Sequence, residues 1–210
     1  MQFSGFEVRH ILLAVGGLTL AFTLVFLGGL YGLSALPPLG TIALYVGSSF
    51  VAVVTAFLLH ELAHKAVAQR YGCFAEFRAY PLGLVIGILT AAFGFLFAAP
   101  GAVMVSGAVT VRQNARISAA GPGTNLLLAT GFIALALLLG VTADPSANAV
   151  AFLAGDIAFV NLFLGGFNLV PFPPLDGSKI FAFNRVLWAA MIAALVALGY
   201  VGWVVGVIPF

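Results

Sequence analysis

The chain has 210 residues, of which 63% are apolar and 7% are charged, and its formal net charge is +2. Soluble domains are roughly 45–50% apolar and about 25% charged, so a globule of this composition could not cover its surface with polar groups. The composition excludes a soluble enzyme, a disordered tail and a nucleic-acid-binding protein, which needs a concentrated basic face. It predicts one integral membrane domain over residues 1–210, with the lipid bilayer as its solvent.

Long uncharged stretches predict the membrane-spanning helices, because a helix needs about 20 apolar residues to cross the bilayer core. Pro37, Pro38 and Gly40 separate the first two stretches. We expect an all-α polytopic fold with about five to six such helices in a cell membrane. The clear stretches cover about residues 11–33, 45–69, 117–143, 157–175 and 186–210.

The stretch 79–111 is too long for one span and too short for two. It contains Pro81 and Pro100, and proline does not continue a regular helix. We therefore expect a membrane-embedded re-entrant hairpin near 82–99, followed by a strand-like segment. A tilted single span with a loop fits the length almost as well. The strand-like segment is indicated by the β-branched residues Val103, Val105, Val109 and Val111.

Basic residues predict the orientation, since cytoplasmic loops carry an excess of Lys and Arg. The links 34–40 and 142–156 contain neither residue type, so we expect them outside, together with the C-terminus. This assignment holds only if 79–111 enters and leaves the membrane on the same side. The segments expected inside are the N-terminus with Arg9 and residues 65–80, 112–116 and 176–185.

Two of the three histidines lie in the segment His60-Glu61-Leu62-Ala63-His64. Residues four apart share one face of a helix, so both imidazoles can bind one metal ion with Glu61 alongside. The alternative is a polar helix end whose groups reach towards water. Ionisable groups within a span are costly and usually functional, which favours the metal site.

Two histidines leave a catalytic zinc site incomplete, because such sites have three protein ligands and a water. The remaining histidine, His10, begins the first span, and the single cysteine excludes a cysteine-based cluster. The third ligand is then expected to be a carboxylate. The candidates are Glu7, Glu76, Asp144, Asp156 and Asp176.

The predicted topology selects among these carboxylates. Asp144 and Asp156 fall at the outer face, whereas Asp176 ends the fifth span at the same depth as the histidines. Glu76 is on the correct side, in a polar loop, and stays the second candidate. Asp176 also follows a segment with three prolines, which predicts unwound backbone that is tolerated at membrane depth only beside protein or water. The alternative for this segment is a surface turn.

These motifs together resemble the site-2 protease family of intramembrane zinc metalloproteases. The resemblance covers about residues 45–180, which would be the catalytic core. It implies a single Zn²⁺ ion held by His60, His64 and Asp176, with Glu61 as the catalytic base. The matching motifs are His60-Glu61-Leu62-Ala63-His64, Gly121-Pro122-Gly123-Thr124-Asn125 and Asn168…Pro171…Leu175-Asp176-Gly177.

The resemblance also suggests residues that act on the substrate. It implies Asn168 as an active-site polar group, and Asn125 joins it as a candidate to line a water path. The segment around Gly101 resembles the extended region that pairs with an unwound substrate. The chain departs from the family in a longer apolar insertion at 82–98, in Thr124, and in the expected absence of a PDZ or CBS domain.

The expected function is hydrolysis of peptide bonds within transmembrane segments of other proteins, near the cytoplasmic face. The expected partners are transmembrane protein substrates and lipid, with no nucleic acid. One alternative is a metal transporter, for which Asp156 and Asn161 offer a short polar route to the outside. Another is a non-catalytic scaffold that binds membrane proteins, against which the intact Glu61 argues.

Overall fold

The computed structural model describes residues 1–35, 37–141 and 148–208, and it is mainly helical. Among these described residues, five helical stretches are long and apolar enough to cross a membrane, which confirms the all-α polytopic fold. They are α1 (Gly5–Phe26), the continuous stretch from α3 to α4 (Leu39–Arg70), α6 (Val111–Leu139), α7 (Ala149–Leu169) and α9 (Arg185–Val204). The elements are α1 Gly5–Phe26, α2 Gly29–Gly32, a 3₁₀ turn Leu33–Ala35, α3 Leu39–Val53, a π-helical turn Val54–Leu58, α4 Leu59–Arg70, β1 Phe74–Ala79, α5 Pro81–Ala92, β2 Gly101–Ser106, α6 Val111–Leu139, α7 Ala149–Leu169, α8 Asp176–Phe183 and α9 Arg185–Val204.

Four spans begin six or more residues earlier than their uncharged stretches predicted, namely α1, α3, α6 and α7. Helix α1 begins at Gly5, because the Ser4 hydroxyl accepts a hydrogen bond from Glu7 N (3.0 Å) and Lys65 neutralises Glu7. Helix α7 begins at Ala149, where the Asn148 side chain caps it. Asp156 therefore lies inside α7, and its predicted place in an outer link was wrong. The buried Asp156 carboxylate is tolerated there because it accepts a hydrogen bond from the Ser48 hydroxyl.

The hairpin between the second span and α6 is confirmed. Strands β1 and β2 pair antiparallel, with Ala79 opposite Gly101, so the segment between them returns to the point where it started. Helix α5 within it has 12 residues, which is about 18 Å and too short to cross a bilayer core. The predicted strand was right only in part. It ends at Ser106, because Thr110 and Gln113 form a capping box that starts α6 at Val111.

Strand β1 was not predicted, and Glu76 lies in it rather than in a polar loop. The charged residues within β1 obscured the alternating apolar and polar pattern that predicts a strand. Buried Ala75 and Phe77 face the protein, and the Phe57 ring packs edge-on against the Phe77 ring, with 5.6 Å between the centroids. The small sheet is thereby fixed against the π-helical turn in the middle of the second span.

Small residues bring α6 and α7 close together beside α4. A Cβ atom on Gly165 of α7 would lie 2.9 Å from the Cβ of Asn125 on α6, so only glycine permits this approach. Buried Ala129 and Ala158 continue the contact. The second span, α6 and α7 therefore form a tightly packed unit, and the polar residues described next lie within it.

Candidate metal centre

Helix α4 presents His60, Glu61 and His64 as one cluster. Ligand-type atoms of these residues all lie within 4.8 Å of one another, so the group could hold a metal ion. All are buried, with 2% of His60, 9% of Glu61 and 7% of His64 exposed. The four-residue spacing on a helix produces this face without help from the rest of the fold.

The hydrogen bonds of the imidazoles fix which ring nitrogen faces the cluster. His64 Nδ1 lies 2.7 Å from the Ile117 carbonyl oxygen, which can only accept, so Nδ1 carries the proton. His60 Nδ1 lies 2.5 Å from Asn125 Oδ1. Asn125 presents its oxygen there because its Nδ2 donates to the Ala56 carbonyl at 2.8 Å. Both histidines thus direct a basic Nε2 inward, which is the usual arrangement of metal-ligating histidines.

The first residue of α8 brings a carboxylate to the same point. Asp176 Oδ2 lies 3.3 Å from His60 Nε2 and 3.0 Å from His64 Nε2. Three atoms with lone pairs therefore converge, and only a cation between them, a proton or a metal ion, makes this favourable. Two ligands about 2.1 Å from a tetrahedral zinc ion are about 3.4 Å apart. The donor set and its spacing therefore fit Zn²⁺.

Asp176 is suited to act as the anionic member of this set. Burial opposes its ionisation, but when the imidazoles carry a proton on Nε2, their hydrogen bonds and charge hold the pKa of the carboxyl well below its usual range. On the other side, Lys179 Nζ lies 3.8 Å from Asp176 Oδ1. The side chain is therefore a carboxylate at neutral pH.

Gly121 of α6 leaves room beside the two imidazoles. A Cβ atom at this position would lie 2.5 Å from His60 Nε2 and 2.5 Å from His64 Nε2. Any other residue would occupy the space in front of both ligand nitrogens. Gly121 begins the motif Gly121-Pro122-Gly123-Thr124-Asn125, but the sequence predicts no role for it, since the residues around a glycine do not show what lies opposite it in the fold.

Glu61 connects the cluster to the sheet. Its Oε2 accepts a hydrogen bond from Val103 N at 2.8 Å, on the edge of β2 that faces away from β1. The opposite edge of the sheet is covered, because Phe77 N donates to Glu7 Oε1 and Ala79 N donates to His10 Nδ1. Within the described part of the chain the sheet has only β1 and β2, so the edge at Val103 is the open one.

The sequence also suggested Asn125, Asn168 and Gly101 as residues that act on the substrate, and each has different surroundings. Asn125 is fully buried and contacts His60 Nδ1 through its Oδ1, and its place on a water path stays a prediction. Asn168 Nδ2 donates to the Leu164 carbonyl of its own helix at 3.0 Å, and its role stays a prediction. Gly101 begins β2 with a φ of +142°, where a Cβ would lie 2.3 Å from the Arg78 carbonyl.

The remaining candidate carboxylates have other partners. Glu7 binds Lys65, with 2.5 Å between Oε2 and Nζ. Glu76 accepts a hydrogen bond from the Ser4 hydroxyl, which lowers the pKa of this carboxyl, and it also pairs with Arg78. Asp156 pairs with Ser48, and Asp144 lies outside the described residues. Among the described carboxylates, Asp176 is thus the one that contacts both histidines.

Comparison with curated proteins finds relatives that are named zinc metalloproteases. The chain is 41% identical over 155 residues to "Putative zinc metalloprotease MJ0611" of Methanocaldococcus jannaschii, covering 72% of this chain and 77% of the relative. It is 34% identical over 154 residues to "Putative zinc metalloprotease YwhC" of Bacillus subtilis, covering 62% of this chain and 65% of that relative. It is 37% identical over 130 residues to "Putative zinc metalloprotease Rip3" of Mycobacterium tuberculosis, covering 62% of this chain but 29% of that longer protein. No family model and no solved structure matches the chain.

Proposed function

The chain belongs to the site-2 protease family of zinc metalloproteases, and we propose that it hydrolyses peptide bonds within transmembrane segments of other proteins, near the cytoplasmic face of the cell membrane. The convergence of His60 Nε2, His64 Nε2 and Asp176 Oδ2 is the observation that carries the proposal. The names of the relatives and the five apolar helices support a membrane zinc protease.

The proposed metal ligands are His60, His64 and Asp176, which would hold one zinc ion. When bound, zinc supplies a Lewis acid that increases the acidity of water and polarises a peptide carbonyl. Asn125 and Ile117 hold the Nδ1 protons of the two histidines, so both Nε2 atoms keep the lone pair that ligation requires.

Glu61 is the proposed general base. It accepts a proton from the attacking water as the oxygen of that water bonds to the carbonyl carbon, and it gives this proton to the amine as the C–N bond breaks. The hydrogen bond from Val103 N holds the carboxylate at the open edge of β2 and limits its rotation. The base therefore stands where a bound peptide would pass.

The open edge of β2 is the proposed place where the substrate binds. A transmembrane helix hides its carbonyl groups in hydrogen bonds, so it must be extended before water can attack. An exposed strand edge binds an extended peptide through main-chain hydrogen bonds. Gly101, Val103 and Val105 present their backbone groups at this edge, and Glu61 lies beside the middle one.

The proposal is tested with the purified protein and its Glu61→Gln variant in detergent, by measuring zinc content and cleavage of a single-span substrate. We expect equal zinc in both proteins and cleavage only by the wild type. Asp156→Asn is the matched control, since it makes the same kind of change at a buried carboxylate that pairs with Ser48. Cleavage by Glu61→Gln at the wild-type rate would remove Glu61 from its role. Zinc without cleavage of any substrate would favour a metal transporter.

A further inference from the structure

The second span is not a regular helix throughout. The π-helical turn Val54–Leu58 separates α3 from α4, and Leu59 N bonds the Val54 carbonyl five residues back. It ends directly before Leu59 and His60. Turns of this kind accommodate an extra residue and occur frequently at functional sites.

The extra residue changes the face on which His60 lies. In an uninterrupted helix, Ala52 and His60 would differ by about 80° around the axis, since each residue turns by about 100°. The π turn removes roughly 100°, which leaves them about 20° apart. Ala52 has 0% of its surface exposed and His60 2%. The π turn therefore keeps the histidine on the buried face that α3 already presents.

Two buried asparagines from neighbouring helices bind this turn. Asn125 of α6 donates from Nδ2 to the Ala56 carbonyl at 2.8 Å, and Asn161 of α7 donates from Nδ2 to the Thr55 hydroxyl at 3.2 Å. The asparagines also bond each other, since Asn125 Nδ2 lies 3.1 Å from Asn161 Oδ1. Both have 0% of their surface exposed.

The direction of these hydrogen bonds is set by main-chain carbonyls, which can only accept. Asn161 Nδ2 donates to the Ile157 carbonyl at 2.9 Å, so its oxygen must face Asn125. Asn125 must then present its nitrogen to both Asn161 and Ala56, which turns its oxygen to His60 Nδ1. This series of hydrogen bonds ends at His60, where it places a proton on Nδ1 and a lone pair on Nε2.

We propose that Asn161 is a positioning residue of the metal centre, which acts through Asn125 and the π turn to hold His60 in the orientation and tautomer that bind metal. This inference rests on the proposed function, because it assigns a role towards the same ion. Among the described hydrogen bonds, those of the Asn161 side chain reach none of His60, Glu61, His64 and Asp176, so its effect must pass through Asn125 and Thr55. In a span that lipid surrounds, a fully hydrogen-bonded polar network of this kind specifies one arrangement of the helices.

The test measures metal affinity, by competition with a chelator, and the visible spectrum of the Co²⁺-substituted protein. Asn161→Leu removes all three hydrogen bonds of the Asn161 amide at similar volume. We expect zinc affinity to fall by about 10-fold, the lower end of the loss for groups that bond a metal-bound histidine directly, because Asn161 acts through Asn125. The cobalt spectrum should change as well, because His60 loses its fixed orientation. Thr130→Val is the control, since Thr130 bonds only the Leu126 carbonyl of its own helix among the described contacts.

A second pair of variants tests the positioning role of Asn161 if Asn161→Leu does not fold. Thr55→Val removes the hydroxyl that accepts from Asn161, whereas Thr55→Ser keeps it. We expect reduced zinc affinity in the first and wild-type affinity in the second. Zinc affinity equal to wild type in folded Asn161→Leu, or in Thr55→Val, would overturn the inference. A wild-type protein that binds no zinc would instead overturn the proposed function.

Discussion

Asp176 and Asp156 are both buried carboxylates of an apolar chain, but their surroundings differ in kind. Asp176 follows a proline-rich segment and lies within 3.3 Å of the Nε2 atoms of two histidines. Asp156 lies inside α7 and accepts a hydrogen bond from Ser48 at 2.8 Å. Burial of an acid is therefore not enough to indicate a metal site. The difference is the convergence of several lone pairs that need a shared cation.

The largest expected effect comes from removing the Asp176 carboxylate, and removal of the Asp156 carboxylate is the comparison. Asp176→Ala should lose zinc and all proteolysis, because two histidines alone do not complete the ligand set. Asp156→Ala should keep its zinc. Elemental analysis of the purified proteins checks both results, with Asp176→Asn as the conservative variant. Full zinc content in the Asp176 variants would refute the proposed ligand, and we expect no loss of zinc in Asp144→Asn.

A smaller change tests whether the space between the ligands matters. Gly121→Ala would put a Cβ 2.5 Å from the Nε2 atoms of His60 and His64, so we expect loss of zinc even though every ligand is present. The control is Gly123→Ala two residues later on α6, where a Cβ meets nothing within 4 Å. Chelator competition measures both affinities. Equal affinity in the two alanine variants would show that the gap at Gly121 is not used by a metal.

The smallest effect should come from the Asp156 pair itself. Ser48→Ala leaves the buried carboxylate without its hydroxyl donor, which costs about 1–3 kcal/mol in the free energy of unfolding. Zinc affinity should stay at the wild-type value, since this pair has no part in the metal centre. Denaturant unfolding in detergent measures the first quantity and chelator competition the second. Reduced zinc affinity in this variant would mean that the two regions are coupled.

Features that depend on local sequence were predictable. The spacing of His60, Glu61 and His64 places them on one face, because helical geometry fixes the relation of residues four apart. The prolines before Asp176 predicted backbone that leaves the helix, and α7 ends at Leu169. The hairpin followed from the length of the stretch 79–111 and from the demand for an even number of crossings.

Features that depend on neighbours were missed. The start of α7 was misplaced because Asp156 was treated as a charge that ends a span, and only the opposing Ser48 makes it acceptable inside one. Strand β1 was missed because its covering side chains, Glu7 and His10, come from distant α1. The role of Gly121 depends on the histidines that lie opposite it in the fold, and the sequence around Gly121 does not show them.

The sequence by itself determined the apolar helical character of the chain, a range of about five to six candidate spans and the cluster on α4, since composition and helical period are properties of the chain alone. Only the tertiary structure decided the direction of the ring nitrogens of His60 and His64, the gap at Gly121 and the place of Glu61 at the open edge of β2. These depend on hydrogen bonds and close contacts between helices far apart in sequence. Such contacts form only when the helices pack, so their geometry leaves no periodic trace in the order of residues.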